Sequence, residues 1–380
     1  MMSVQGVRFQ ARWDHTNSHL KSPVLTTVQE VKRIAWNIFS FLIPIIGLVR
    51  LMGYGVGCLA NRLILVRVNS YLRSAERIAK EKEFTDFWKG GLTPKNREVR
   101  QWFNLEEHII ATPDCAALSV RLVQHQNAVE SSPTIIRFPG NAEIGVQEGN
   151  HWMFYESIRR GPCNFVFFDY RGRREDLPGT FAATKDLTVD GSSVVQWVRK
   201  CLKTPAHQIR FYGSSLGGAV AVETQGLDPK QLTGAHLNES SFASVDKMVK
   251  AIFGAGCLGR LIAWTVANQG YSMEAATAFE KLKGPKLVVY HPQDKVIPNS
   301  ASLQKEVQHK QAICLTAKDA TLKYRPTLKY PLGEETSCAT GSDEWGNHCA
   351  PLNWYEGAYE KVSEFLFGAP VPQSRGRALV

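Results

Sequence analysis

The chain has 380 residues, of which 44% are hydrophobic, 10% aromatic and 21% charged, proportions that exclude a disordered or collagen-like protein. Its formal charge is +10, and residues 1–100 hold 16 Lys and Arg against 7 Asp and Glu, so the remainder is close to neutral. A nucleic-acid enzyme would spread its cations over the working domain, and no nucleic-acid partner is expected. Eight cysteines without a C-x-x-C pair give neither a disulfide framework nor a zinc site. Four of them fall in stretches that read as buried elements, and a reducing compartment is the default. Cys338 and Cys349 are the one pair close enough in sequence to keep in view.

Residues 1–33 form a basic N-terminal segment, and residues 34–91 an apolar and helical extension. From Ile34 to Ala60 the only charge is Arg50: IAWNIFSFLIPIIGLV supplies 16 uncharged residues and LMGYGVGCLA ten more. A spanning helix needs about 20 apolar residues, so each half is short and the two together are long. Pro44 and the glycines at 47, 53, 55 and 57 would break a helix in water. Polar residues precede the run, so it is not a cleavable signal peptide. Three arrangements bury it: a kinked span or hairpin, an interfacial helix, or a layer over the catalytic domain. Lys32, Arg33, Arg62 and Arg67 flank the run and suit anionic headgroups, which makes a membrane surface an expected partner of residues 34–66. The expected location is therefore membrane-associated or cytoplasmic. Residues 68–90 predict a charged, mostly solvated helix, and residues 92–98 a linker.

A single domain is expected over residues 92–368, followed by a tail at 369–380. Two β-rich stretches joined at Thr112-Pro113-Asp114 predict a hairpin. Apolar strand runs follow at TIIRF (134–138), NFVFFDY (164–170), IRFYG (209–213), GAHLNES (234–240), KLVVYHP (286–292) and QAICLTA (311–317), with helices between them. Such alternation predicts an α/β fold with a mostly parallel sheet covered on both faces and an antiparallel edge. Between the sixth and seventh strands, residues 242–282 predict a helical cap. Its Ile252, Phe253, Leu258, Leu261, Ile262, Trp264 and Val266 either line an acyl-sized pocket or pack onto the sheet.

IRFYG runs straight into Gly213-Ser214-Ser215-Leu216-Gly217-Gly218, which fits G-x-S-x-G on a strand end that opens a helix. The turn is tight enough to need small flanking residues, and it lifts Ser215 to a helix N-terminus, where backbone N–H groups favour developing negative charge. Ser214 is out of phase with the motif and reads as a structural neighbour.

With these residues the chain from 99 to 368 resembles an α/β-hydrolase. Phe138-Pro139-Gly140-Asn141-Ala142-Glu143-Ile144-Gly145 is similar to that family's oxyanion loop, with Pro139 where His is usual. Asp169-Tyr170-Arg171-Gly172 is similar to its structural turn after the fourth strand, and Asp294-Lys295-Val296-Ile297-Pro298 to its acid loop after the seventh. The overall layout, with the apolar extension, also resembles the chlamydial CHLPS protein group.

A serine hydroxyl needs a histidine to take its proton and a carboxylate to orient that histidine, in the chain order Ser, Asp/Glu, His. Asp294 stands at a strand's carboxyl end; Glu239 is the rival acid, otherwise expected to cap the next helix or shape the pocket. Of ten histidines only His309 and His348 lie beyond Asp294. His309 sits in a charged helical stretch, so His348, before the terminal helix, is the expected base. The connection across residues 318–347 is unusually long and reads as an insertion near the site. Leu216 and Asn141 are the expected backbone oxyanion donors. No H-E-x-x-H or dinucleotide fingerprint occurs, so no metal or other cofactor is expected. The function expected is a serine hydrolase acting on an ester, thioester or lipid-like acyl substrate. The alternatives are a serine peptidase and a catalytically silent, membrane-associated binding or effector module.

Overall fold

The computed structural model describes residues 82, 87–88, 94–141, 143, 151–172, 177–179, 183–268, 270–308, 310–315, 348, 352 and 356–369. The apolar run at 34–66, His309, the insertion at 318–347, the Cys338–Cys349 pair and nearly all of the 68–90 helix lie outside them. Among the described residues no helix is long and apolar enough to cross a membrane.

Eight strands form one sheet: β1 (Phe103–Ala111), β2 (Ala117–His125), β3 (Thr134–Phe138), β4 (Asn164–Phe168), β5 (Ile209–Ser214), β6 (His236–Glu239), β7 (Lys286–Tyr290) and β8 (Ala312–Cys314). Their order is β1-β2-β4-β3-β5-β6-β7-β8. β1 and β2 form the expected hairpin, whose turn is closed by Thr112 N–H to Ala116 O at 2.8 Å. β2 also meets β4 antiparallel, and every later pairing is parallel. All residues of β3 and β4 are buried, as continuous Ile and Phe runs require when helices cover both faces.

The period of two splits each strand between two cores. Ile136, Phe138 and Phe211 join one cluster with α3 (Thr184–Cys201) and α4 (Leu216–Gly226). Ile135, Phe165 and Tyr212 join the other with α1 (Pro94–Trp102), α2 (His151–Arg160) and α9 (Glu356–Phe367). On that face Arg160 donates to Glu156 at 2.5 Å and to Glu360 at 2.7 Å, and Tyr359 OH donates to Glu156 at 2.9 Å. This pins α9 to α2. The sequence predicts a linker at 92–98, but α1 begins there. Proline is tolerated at the first helical position, and Val99, fully buried, anchors the turn that follows. Trp88, expected in a mostly solvated helix, is buried with its ring 5.8 Å from that of Phe154.

Of the described cysteines only Cys163 is buried, and burial pushes its thiol up to about 12. Cys115, Cys201 and Cys257 are exposed.

The cap departs from β6 and returns before β7 as α5 (Val245–Phe253), α6 (Cys257–Asn268) and α7 (Ala275–Lys281); α8 (Leu303–Val307) follows β7. It occupies the sheet's carboxyl edge, where Thr184 N–H bonds Gly270 O at 3.2 Å and joins the cap to the start of α3. Val266 and the partly buried Ile262 pack inward. Ile252, Phe253, Leu258, Leu261 and Trp264 do not pack onto the sheet: they are 44–65% exposed. α6 is apolar on more than one face, and its buried residues are Gly259, Ala263, Thr265 and Val266.

Candidate active site

The strand–turn–helix at Ser215 is built from close backbone contacts. A Cβ on Gly213 would meet Gly217 O at 2.3 Å, and one on Gly217 would meet Phe138 O at 2.1 Å. Only glycine lets α4 start that close to β3 and β5. Ser215 itself has φ +51° and ψ −123°, a region costly for a residue with a side chain. The strain is held by Ser215 N–H donating to Glu239 O at 2.9 Å and by Gly218 N–H donating to Ser215 O at 3.1 Å. Ser215 thus sits between the end of β5 and the first turn of α4, with Leu216 the first helical residue.

Asp294 lies just beyond β7, two strand spacings (about 10 Å) from β5 along the same sheet edge. One of its oxygens accepts the N–H groups of Val296 and Ile297, both at 2.8 Å. Its other oxygen meets His348 Nδ1 at 2.7 Å, with both side chains nearly buried. A carboxylate only accepts, so Nδ1 carries a proton and, in the neutral tautomer, Nε2 presents the lone pair. The structure therefore brings Asp294 and His348 together across the long insertion.

Glu239 does not share that histidine contact. Its Oε2 accepts the Tyr212 hydroxyl at 2.6 Å, and burial pushes its carboxyl above the usual range against the opposing pull of Arg137 and that hydroxyl. Nor does it cap the next helix, since α5 is capped by Ser244, whose hydroxyl accepts Lys247 N–H at 3.2 Å.

The loop after β3 approaches the elbow, with Pro139 and Gly140 buried. Gly140 N–H donates to Glu143 Oε2 at 2.6 Å. Arg137 donates to Glu143 and, at 2.9 Å, to Ser214 Oγ. Neither Arg137 nor Glu143 stands out in the sequence reading. The available signal is the cation inside TIIRF, because a charge in a fully buried strand must find a partner. Among the described residues no group of three or more His, Cys, Asp or Glu is placed to hold a metal ion.

The sheet order, its parallel centre and the strained strand–serine–helix turn define an α/β-hydrolase fold. No family model matches the chain. In sequence it is similar to protein bem46 of Schizosaccharomyces pombe, 27% identical over 202 residues that cover 52% of this chain and 63% of that one. It is also similar to the uncharacterized protein R595 of Acanthamoeba polyphaga mimivirus, 25% identical over 206 residues, 51% of this chain and 66% of that one. The chain thus spans just under two thirds of the length of each. Among solved structures it is similar to an acetyl xylan esterase from Paenibacillus sp. R4, with TM-score 0.47, 15% identity and coverage of 57% and 78%. The Pyrococcus furiosus esterase Pf2001 gives TM-score 0.45, 16% identity and coverage of 73% and 95%.

Proposed function

We propose that the protein is a serine hydrolase that cleaves an ester, thioester or lipid-like acyl substrate through a covalent acyl-enzyme on Ser215. The observation that supports this most is the 2.7 Å Asp294–His348 pair on the sheet edge that carries the strained Ser215 turn. In this reading His348 Nε2 takes the Ser215 proton as Oγ attacks the acyl carbon, and Asp294 holds the imidazole and balances its positive charge. His348 then protonates the leaving group, and a water attacks the acyl-enzyme by the same route. In this reading the oxyanion of each tetrahedral intermediate is held by the N–H groups of Leu216, the first residue of α4, and Asn141, in the loop after β3.

A lipid-like substrate is favoured over a sugar or nucleotide by the cap, which presents five large apolar side chains at the sheet edge that carries Ser215. Residues 34–66 add a membrane contact on the strength of their composition. The chlamydial resemblance rests on the layout of the chain and carries no part of this reading.

The test is labelling of the full chain by a fluorophosphonate probe together with p-nitrophenyl ester turnover. Ser215→Ala should abolish both at an unchanged melting temperature. Asp294→Asn should lower turnover about 10³–10⁴-fold, far more than Glu239→Gln. A folded natural protein that neither labels nor turns over esters would overturn the reading in favour of the binding module, and the reverse ranking of the two acids would move the acid to Glu239.

A further inference from the structure

Resting on the serine-hydrolase reading, we propose that Arg137 is a positioning residue which, through Glu143 and Ser214, locks the oxyanion loop to the nucleophile's turn. Arg137 lies within a fully buried strand, and its side chain is only 5% exposed. A buried guanidinium without partners is strongly destabilising, so the site has to supply them. It supplies them from three segments. Nη1 donates to Phe138 O at 2.6 Å, at the end of β3. Nη2 donates to the Glu143 carboxylate at 3.1 and 3.2 Å, in the oxyanion loop, and to Ser214 Oγ at 2.9 Å, in the turn.

The partners also bond one another. Ser214 Oγ donates to Glu143 Oε1 at 3.0 Å, while Glu143 Oε2 receives Gly140 N–H at 2.6 Å. The result is a closed ring of hydrogen bonds. It ends one residue before each of the two places that matter: Gly140 precedes Asn141, and Ser214 precedes Ser215. Beneath the ring the guanidinium lies over the Tyr212 ring, 4.3 Å from its centroid, and Tyr212 in turn bonds Glu239. Sheet register accounts for this placement, since Arg137 pairs with Tyr212, and Ser214 with Glu239, on the same face.

Pro139 has no side-chain donor with which to anchor the loop, and its backbone has no N–H. Arg137 anchors it from below. Because the ring stops one residue short of both Ser215 and Asn141, it acts through the placement of the oxyanion donor relative to Ser215 Oγ. A misplacement of about 1 Å at such a site costs on the order of 10²-fold in rate. The effect should fall on the transition state, where the oxyanion forms, and leave ground-state binding alone.

The test uses the full chain with Arg137→Met, Glu143→Ala, Glu143→Gln and Ser214→Ala. Arg137→Met and Glu143→Ala should lower kcat about 10- to 100-fold with KM within about twofold. A boronic acid or trifluoromethyl ketone, which places a tetrahedral oxyanion at the site, should weaken by the same factor, while inhibition by the product carboxylate should not move. Glu143→Gln keeps an acceptor for Gly140 and should recover much of the loss. Ser214→Ala removes only a hydroxyl and should give a smaller drop of the same kind, which serves if Arg137→Met does not fold. Folded variants with natural kcat, or with raised KM and unchanged binding of the oxyanion analogue, would overturn the proposal. Those results in a natural protein that labels at Ser215 reject the brace alone, whereas absence of labelling in the natural protein rejects the underlying reading.

Discussion

A methyl group on Gly217 would lie 2.1 Å from Phe138 O, whereas in the cap that follows β6 Trp264 is 56% exposed. The two regions share the carboxyl edge of one sheet and follow opposite rules. At the turn, backbone meets backbone, and chain geometry admits no added atom. At the cap, Leu258, Leu261 and Trp264 line up on the outer side of α6, while Ile262, Val266 and smaller residues face inward. The contrast separates two tasks. On the proposed reading, placing Ser215 as a nucleophile needs a fixed frame, whereas meeting an apolar substrate needs surface that the frame does not consume.

The largest expected effect attacks the frame. Gly217→Ala should destabilise the protein by about 3 kcal/mol or more, because the obstacle is backbone and cannot swing away. Urea unfolding followed by fluorescence measures it, and a change below about 1 kcal/mol would mean that the turn is more yielding than its contacts imply.

A second experiment concerns the core beneath the turn. His236 in β6 is fully buried, and its Nδ1 meets Gln225 Oε1 of α4 at 2.8 Å. The Gln225 oxygen is an acceptor, so the neutral ring carries its proton on Nδ1. Burial, with Lys286 nearby, drops its pKa from 6.5 to about 3. Between those values the unfolded chain binds a proton that the folded chain refuses. Stability from this group is therefore present above pH 6.5 and is lost as the pH falls toward 3. His236→Gln should flatten the fall in melting temperature between pH 7 and pH 4.5 by an amount on the order of a few kcal/mol in stability. Parallel curves for the two proteins would contradict the neutral, buried histidine.

The smallest expected stability effect is in the cap. Leu261→Ser and Trp264→Ser should each shift stability by about 0.5 kcal/mol or less. Their effect should appear in substrate preference, as a loss of turnover on long-chain relative to short-chain p-nitrophenyl esters. A stability loss above about 2 kcal/mol would mean that another part of the chain covers these side chains.

Much of the frame was legible because its rules are local. TIIRF matches β3 residue for residue, and the glycines around Ser215 announce a turn that no bulkier residues could make. The Asp294–His348 contact follows from chain order and strand position, although the residues between them gave no help. Other features were hidden for physical reasons. α1 is anchored by Val99, deep in the core amid charges that read as a linker. α6 is apolar on most sides, so periodicity could not say which face would meet the core. Arg137 looks like a tolerated charge in an apolar run until β5 and the 140–143 loop fold around it. Its partners lie 6 and 77 residues away along the chain.

The cap's two ends are tied to each other: Val245 N–H bonds Met273 O at 3.2 Å, and Ala276 N–H bonds Ala243 O at 2.9 Å. Whatever lies between begins and finishes at one point on the scaffold. Closing a loop of different length at such a point changes its entropic cost only slowly, by about 0.6 kcal/mol per doubling. The segment from 245 to 273 is thus a cassette. Its outer stretch, residues 252–261, can change in length while Val249, Ala263 and Gly270 hold the rest to the core and to α3, so on the proposed reading a lineage or a protein engineer could change the clientele of this scaffold with the sheet and Ser215 in place.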